Sequence, residues 1–414
     1  MRRLIAALAV CAMTTTAAFA QASVAGTVQT RMNVAQGNLS DDDADLEMGG
    51  LVGTAWLQLS GANADGTLGG TWRLRNQDIV RTGSLNPAGD PVSGAWFHRA
   101  FVWWRPIQQM RVWLGIDDDG MFGTDALAGH DFHQGDNDYM FNHDWSFWRR
   151  VFPGTFTGFG LALSFSDFGV DGLALNLVLP TGSRGHPGAT AAAIVEARSI
   201  QQMLAGFRLH GTYAIPGMGT VQFSYAAPGG IMNIWSSQWG DLREYSPEWG
   251  DARNFGQLGL SFLMTGLDFG NLILGGSIII PDGDHYADAH IGAAVHVANI
   301  ADLMGLRFRV GMQIQGGDDT LDPLMTMNLM PVVPLGPGSL MFDFGLTARF
   351  HEDFDSDLHL GWSVKPVYRL PLSSGSFQVG LHLHSGVQMG GQAHNLVTNS
   401  DVHINIPMAL TFSF

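Results

Sequence analysis

Basic side chains recur at alternate positions of several short segments, opposite an apolar stripe. Around residues 306–314, for example, Arg307 and Arg309 alternate with apolar residues. Arginine stays charged and binds carboxylates and phosphates through several N–H donors, so this pattern predicts a basic surface that favours anions. The alternative is that the arginines pair with Asp343, the clear acidic residue in such a position, or with carboxylates of the connecting segments. The basic residues with this spacing are Arg73, Arg75, Arg111, Arg208, Arg307, Arg309, Arg349, His210, His359, Lys365, His382 and His384.

Acidic residues are concentrated between these segments instead, as in 41–45, 117–119 and 318–319. The longest connection, Asp117–Thr155, combines carboxylates with His130, His133 and His143. Oxygen ligands of this kind suit Ca²⁺, so calcium in the acidic loops is one interpretation. No EF-hand spacing or His-x₃-His pair supports it, and we expect a solvated acidic loop with no metal and no cofactor.

Catalytic motifs are missing from the sequence. It contains no Gly-x-Ser-x-Gly, no His-Glu-x-x-His and no phosphate-binding loop. We therefore expect a protein that is not an enzyme.

The first twenty residues have the pattern of a secretory signal peptide. Arg2 and Arg3 precede an apolar stretch, and Ala18-Phe19-Ala20 forms a small-x-small cleavage site. Cys11 is the only cysteine and lies inside this segment, so disulfides and thiolate sites are excluded from the mature chain, residues 21–414. The formal charge of −16 argues against binding to nucleic acid.

Apolar residues are dispersed in short alternating segments, although they make up 46% of the chain. Period-two alternation is typical of strands with one apolar face. Leu173-x-Leu175-x-Leu177-x-Leu179 and Phe377-x-Val379-x-Leu381-x-Leu383 are clear examples. With flanking residues, each approaches the ~9–11 residues of a tilted membrane-spanning strand. We count about eighteen such strands, with about sixteen as the alternative because several boundaries are poorly marked.

The connections alternate between short and long. The short ones are 61–66, 106–108, 216–219, 265–268, 334–337 and 371–375. The others are 36–50, 76–93, 117–155, 181–202, 227–254, 281–288, 316–322, 351–357 and 386–401. Short turns at one rim and long loops at the other predict a single all-β domain over residues 21–414, a transmembrane antiparallel up-and-down β-barrel. We expect both termini on the short-turn side, and a short helix within Ala189–Leu204.

Two neighbouring tryptophans, Trp103 and Trp104, lie next to the short turn at Pro106. Aromatic residues gather at membrane interfaces, so this pair is a candidate for the inner aromatic girdle. Because adjacent strand residues point to opposite faces, we expect one of the two to face the barrel interior.

The chain ends on an alternating strand whose last residue is Phe414. With the signal peptide, the strands and the loop asymmetry, it resembles a bacterial outer-membrane porin. The segment Phe101-Val-Trp-Trp-Arg-Pro106, with Val112-Trp-Leu-Gly115, also resembles spirochaete outer-membrane proteins. The porin resemblance implies passive diffusion of small hydrophilic solutes, contact with outer-membrane lipid, insertion by the outer-membrane assembly machinery and a homotrimer. It also makes Phe414 the assembly signal.

In porins the third long loop folds into the lumen and narrows it. By strand order, the resemblance places that constriction in Asp117–Thr155. Its acidic candidates are Asp117, Asp118, Asp119, Asp125, Asp131, Asp136 and Asp138. A surface role is the competing function class. The long connection Ala227–Asn254 carries Trp235, Trp239 and Trp249, which would suit an adhesin or a binder of host proteins.

Overall fold

A computed structural model gives the architecture and shows one antiparallel sheet. It describes residues 21–40, 46, 51–77, 94–117, 158–167, 169–182, 200–205, 207–227, 255–281, 288–301, 303–315, 324–349, 359–385 and 402–414. The proposed signal peptide lies outside these residues.

The first half of the sheet contains β1 (Gln21–Asn38), β2 (Leu51–Ala62), β3 (Leu68–Gln77), β4 (Gly94–Ile107), β5 (Met110–Asp117), β6 (Gly158–Ser166), β7 (Leu173–Gly182), β8 (Arg208–Ile215) and β9 (Gly219–Ala226). The second half contains β10 (Phe255–Leu267), β11 (Gly270–Pro281), β12 (Asp288–Ile300), β13 (Met304–Gln315), β14 (Leu324–Leu335), β15 (Gly338–Arg349), β16 (His359–Leu372), β17 (Gly375–Gly380), β18 (His382–Ser385) and β19 (Val402–Ser413).

These strands close into a barrel, since β1 pairs with both β2 and β19. The segments β17 and β18 both pair with β16 on one side and β19 on the other, so they are two parts of one barrel strand interrupted at Leu381. The barrel therefore has 18 strands. This confirms the predicted transmembrane-type antiparallel barrel and the count of eighteen, and the alternative of sixteen is wrong.

Side chains alternate between the two faces of the barrel wall. On β13, Arg309 and Gln313 point inward and are buried, while Ile314 on the outer face is 41% exposed. Leu260 and Leu410 on other strands are more than half exposed. A soluble protein rarely leaves so many large apolar side chains uncovered around its whole circumference. The outer surface therefore suits contact with hydrocarbon.

The rims are asymmetric, as predicted. Successive hairpins such as β4–β5, β10–β11 and β14–β15 join through short turns at the end where both termini lie, while the longer connections, most of whose residues lie outside the described ranges, are at the other end. Helix α1 (Ile200–Ala205) lies in one of these, at the end of the stretch predicted as helical; residues 189–199 lie outside the described ranges. No described helix has the length and apolar composition of a membrane-spanning segment.

The β2–β3 turn shows how a short connection is stabilised. Asn63 Oδ1 accepts a hydrogen bond from the backbone N–H of Leu68, and Asp65 Oδ1 accepts from both the backbone N–H and the hydroxyl of Thr67. The Thr67 hydroxyl and N–H lower the pKa of Asp65 below its usual value because they stabilise the carboxylate. The Asp65 carboxylate therefore stabilises the folded state fully above the usual carboxyl pKa. This stabilisation is lost as the pH falls through the lowered pKa.

The last residue completes the seam between the first and last strands. The Phe414 N–H donates to the Gly26 carbonyl at 3.0 Å, and the Gly26 N–H donates to the Phe414 carbonyl at 2.9 Å. The Phe414 ring lies over Gly26 on the outer face, where a Cβ would come within 2.3 Å of the ring. Glycine at this position therefore leaves room for the terminal aromatic ring.

Deletion of Phe414 should lower the amount of barrel inserted in the outer membrane. The change removes both hydrogen bonds with Gly26, each worth about 0.5–1.5 kcal/mol, at the place where the sheet must close. Western blots of outer-membrane fractions, with heat-modifiable gel mobility, measure the amount. Phe412→Leu is the matched control, since it alters a neighbouring outward ring and keeps every backbone pair. An unchanged amount after the deletion would contradict the role of this residue.

Candidate functional site

The inner wall of the barrel contains the predicted basic side chains. Arg73, Arg111 and Arg307 point inward and are partly exposed. Arg208, Arg309 and Asp343 also point inward and are almost fully buried, at 3%, 2% and 2% exposure. Arg75 and Arg349 lie opposite Trp56 and Leu324 in their strands, and their side chains lie outside the described part of the structure.

The predicted constriction residues are mostly beyond the described ranges. Asp118, Asp119, Asp125, Asp131, Asp136 and Asp138 all lie in residues 118–157, so their role stays a prediction. Asp117 is the last residue of β5, with Arg99 and Gly158 as its neighbours across the sheet. Asp117 thus lies where the strand ends and the connection begins, and its role in the constriction stays a prediction.

A charged network crosses the inner wall from β13 to β16. Arg309 Nε donates to Asn328 Oδ1 at 3.1 Å, and Asn328 Nδ2 donates to Asp343 Oδ1 at 3.2 Å. Lys365 is directly opposite Asp343 on the next strand and is fully buried. Two cations thus lie near one carboxylate. Arg309 reaches Asp343 through an amide, which supports the interpretation that part of the basic wall is internally paired.

A second group lies on β2 and β3. Arg73 Nε donates to Gln58 Oε1 at 2.8 Å, and the Arg73 guanidinium lies 4.5 Å from the centre of the Trp56 ring. Gln58 in turn donates to the Ser60 hydroxyl. Arg73 is therefore held against the wall by an amide and an aromatic face.

A third group continues this arrangement on β4 and β5. The Arg111 guanidinium lies 4.5 Å from the ring centre of Trp103 and 4.8 Å from that of Trp113. Phe101 meets Trp113 edge to face, with ring centres 5.2 Å apart. The Trp113 indole N–H donates to the Ser164 hydroxyl at 2.8 Å. We call these inward residues the aromatic–arginine strip: Trp56, Arg73, Phe101, Trp103, Arg111 and Trp113.

The two adjacent tryptophans of β4 point to opposite faces, as expected. Trp104 is 55% exposed on the outer surface close to the short-turn rim, and Trp103 belongs to the strip. The prediction that one of them faces the interior is confirmed. The inward positions of Trp56, Phe101 and Trp113 were not predicted from the sequence. For Trp113 the sequence did hold an indication: it is two residues from Arg111 on the same strand, and residues two apart point to the same face.

Other parts of the inner wall are apolar or rich in histidine. Met330, Met341 and Val367 form a small buried cluster. The rings of His382 and His384 are 4.5 Å apart, and His384 stacks on His403 of β19 at 5.1 Å. No group of three or more described His, Asp or Glu residues could hold a metal ion. The proposed calcium loops lie outside the described residues.

Solved structures of bacterial outer-membrane proteins share this architecture. Acinetobacter baumannii OccAB4 superposes with a TM-score of 0.52 at 9% identity, covering 95% of this chain and 98% of that chain. Pseudomonas aeruginosa OccD3 (OpdP) gives a TM-score of 0.52 at 10% identity, covering 96% and 92%. A mutant of the Rh. blastica porin gives 0.43 at 12% identity, covering 95% and 100%. No protein-family model and no curated protein matches the sequence.

The fold is that of bacterial outer-membrane porins. Because the barrel is closed, its inward residues face one interior, so the three groups described above belong to one inner wall. Two of these groups differ in how their charged side chains are held. The network around Asp343 balances positive with negative charge, whereas the aromatic–arginine strip places cations on aromatic faces.

Asp343→Asn should lower the free energy of unfolding by about 1.5–3 kcal/mol, the range for hydrogen bonds to charged groups. The amide keeps the shape and still accepts from Asn328, but Arg309 and Lys365 lose the carboxylate near them. Urea titration of the refolded barrel, followed by tryptophan fluorescence, measures the change. Asp65→Asn in the exposed β2–β3 turn is the control and should have a smaller effect. Equal losses would show that Asp343 does not compensate the buried cations.

Proposed function

We propose that this protein is an outer-membrane porin through which small hydrophilic solutes diffuse passively. The observation that carries the proposal is the inverted distribution of side chains on a closed barrel. Charged residues such as Arg73, Arg111 and Arg307 face inward and are partly exposed, while apolar residues such as Leu260 and Leu410 are exposed outside. Unpaired polar groups are costly inside a packed apolar core, whereas a water-filled lumen solvates them.

The number of strands supports an open path. Barrels of about eight strands are filled by their own side chains, but about 16–18 strands leave an aqueous channel. Eighteen strands therefore enclose more space than wall side chains of ordinary size fill. The bound on solute size depends on the connection over residues 118–157, where the proposed constriction lies.

The partners follow from the two surfaces. The outer apolar belt supports contact with outer-membrane lipid, and an outer-membrane location. The pairing of Phe414 with Gly26 at the barrel seam supports its proposed role as an assembly signal. A homotrimer and insertion by the assembly machinery stay predictions. So does the absence of catalysis, which rests on the missing motifs.

Anion preference is a finer part of the proposal. Arg73, Arg111 and Arg307 are partly exposed on the inner wall, and cations close to an ion path attract anions within about a Debye length, ~10 Å at 0.1 M salt. Arg309 contributes less in this proposal because it is buried and linked through Asn328 to Asp343. The adhesin alternative rests on Trp235, Trp239 and Trp249, which lie outside the described ranges.

The refolded protein should conduct in planar lipid bilayers in discrete steps. A closed barrel with a polar interior gives ions a continuous aqueous path, whereas an adhesin or enzyme barrel with a filled interior does not. The same sample should show β-rich circular dichroism and heat-modifiable mobility. Heat-denatured protein is the control for contaminating channels. A folded, heat-modifiable barrel without conductance steps would overturn the porin proposal.

Arg307→Gln should shift the reversal potential in a KCl gradient toward cation selectivity, because it removes a partly exposed positive charge from the lumen wall. Arg309→Gln is the matched control and should give a smaller shift. Arg309→Gln also removes one positive charge, but Arg309 lies in the network with Asp343, whose negative charge partly offsets it. Removing both arginines should exceed the effect of neutralising Asp41, Asp42 and Asp43 together, since charges at the mouth are more strongly screened. A larger effect of the loop triple variant would place selectivity in the acidic loops.

A further inference from the structure

The aromatic–arginine strip differs from the network around Asp343. In that network Arg309 and Lys365 lie near Asn328 and Asp343. On β4 and β5, Arg111 contacts two tryptophan rings. Arg105 lies 5.9 Å from the centre of the same Trp103 ring. Two guanidinium groups therefore share one indole, although like charges repel.

Arg111 has no carboxylate partner among the described residues. Its neighbours there are Trp103 and Trp113, with Arg105 as the nearby charge. An aromatic face stabilises a cation and leaves the N–H edge of the guanidinium available. That edge has the fork geometry that matches a carboxylate. Arg111 thus places a positive charge on the inner wall without an acidic partner among the described residues.

The strip also presents flat surfaces along the direction of transport. Phe101, Trp103 and Arg105 are successive inward residues of β4, and inward residues of a strand are about 6.6 Å apart. Trp113 lies across from Trp103 on β5, and Arg73 with Trp56 continues the pattern on β3 and β2. Phe101 is buried and packs edge to face against Trp113. Trp103, Arg105 and Arg111 are partly exposed, so a planar solute can meet an indole or a guanidinium plane at these positions.

The wall beneath Trp103 is shaped for this ring. Gly69 lies opposite Trp103 on β3, and a Cβ there would come within 2.4 Å of the indole. Glycine lets the ring lie flat on the sheet, where it holds Arg111. The position of the indole on the wall is thus defined by three strands, β3, β4 and β5.

We propose that the aromatic–arginine strip is a binding site for planar organic anions, with aromatic carboxylates as the class of solute. The carboxylate pairs with the guanidinium edges of Arg111 and Arg105, and the ring stacks on the aromatic faces and guanidinium planes of the strip. Uncharged sugars fit less well, because they carry no negative charge for the guanidinium edges to pair. The site rests on the proposed porin function, since a solute reaches it only through an open lumen.

The test measures how organic solutes reduce the KCl current of single channels. Benzoate is the probe, cyclohexanecarboxylate has the same charge without the flat ring, and benzamide has the flat ring without the charge. Half-maximal reduction of the current by benzoate should occur at a concentration about tenfold below that of either control. Equal potency of benzoate and cyclohexanecarboxylate would overturn the aromatic part of the site. Equal potency of benzoate and benzamide would overturn the anionic part.

Two adjacent residues provide matched variants. Trp103→Leu removes an inward ring and should raise the half-maximal benzoate concentration about fivefold or more. Trp104→Leu removes the neighbouring ring from the outer face and should leave it unchanged. Arg111→Gln should raise it as Trp103→Leu does, and Arg111→Lys should recover only part of the effect because a lysine lacks the planar fork. Equal responses of the Trp103 and Trp104 variants would overturn the site.

Failure of this site and failure of the porin function give different results. A channel that conducts KCl but does not distinguish the three probes refutes the site and leaves the porin function intact. A folded barrel that conducts nothing refutes both. If Trp103→Leu does not yield a heat-modifiable barrel, Arg111→Lys and the comparison of the three probes on the unaltered channel still decide the outcome.

Discussion

Backbone hydrogen bonding between β1 and β19 is the interaction on which the rest of the structure depends. In hydrocarbon an unpaired N–H or C=O costs several kcal/mol, so a sheet in a membrane must have no open edge. The seam extends from Thr27 opposite Ser413 to Asn38 opposite His403. Phe414 extends it by pairing with Gly26. Only once this seam has formed do the inward faces of all the strands enclose one lumen.

Closure also explains why the side-chain distribution is inverted relative to a soluble protein. The same alternation that would bury leucines in a sandwich exposes Leu260 and Leu410 to the outside and turns Gln222 inward. Pairing between neighbouring strands brings their inward residues together at the spacing of the ladder. Arg309, Asn328 and Asp343 are hydrogen-bonded for this reason, although each comes from a different strand.

The described wall is not uniform around its circumference. Strands β13 to β16 carry the network in which charges compensate one another, whereas β2 to β5 carry cations supported by aromatic rings. Both arrangements keep arginines ordered on the wall, but only the second leaves guanidinium edges without a described acidic partner, at Arg111. The two sides of the described wall thus hold their cations in different ways.

The sequence by itself determined the barrel architecture and the face of each clear strand, because a period of two is a local property. It placed Arg307 and Arg309 inward and required Trp103 and Trp104 to separate. The choice between sixteen and eighteen strands needed the pairing of the whole sheet. The sequence did not indicate that strand pairing continues to Asp117, because the acidic residues that follow it are typical of a loop. Tertiary structure alone decided that Arg111 lies between Trp103 and Trp113, and that Arg309 reaches Asp343 through Asn328. These contacts depend on the register between strands, which hydrogen bonding over the whole sheet fixes and no single segment encodes.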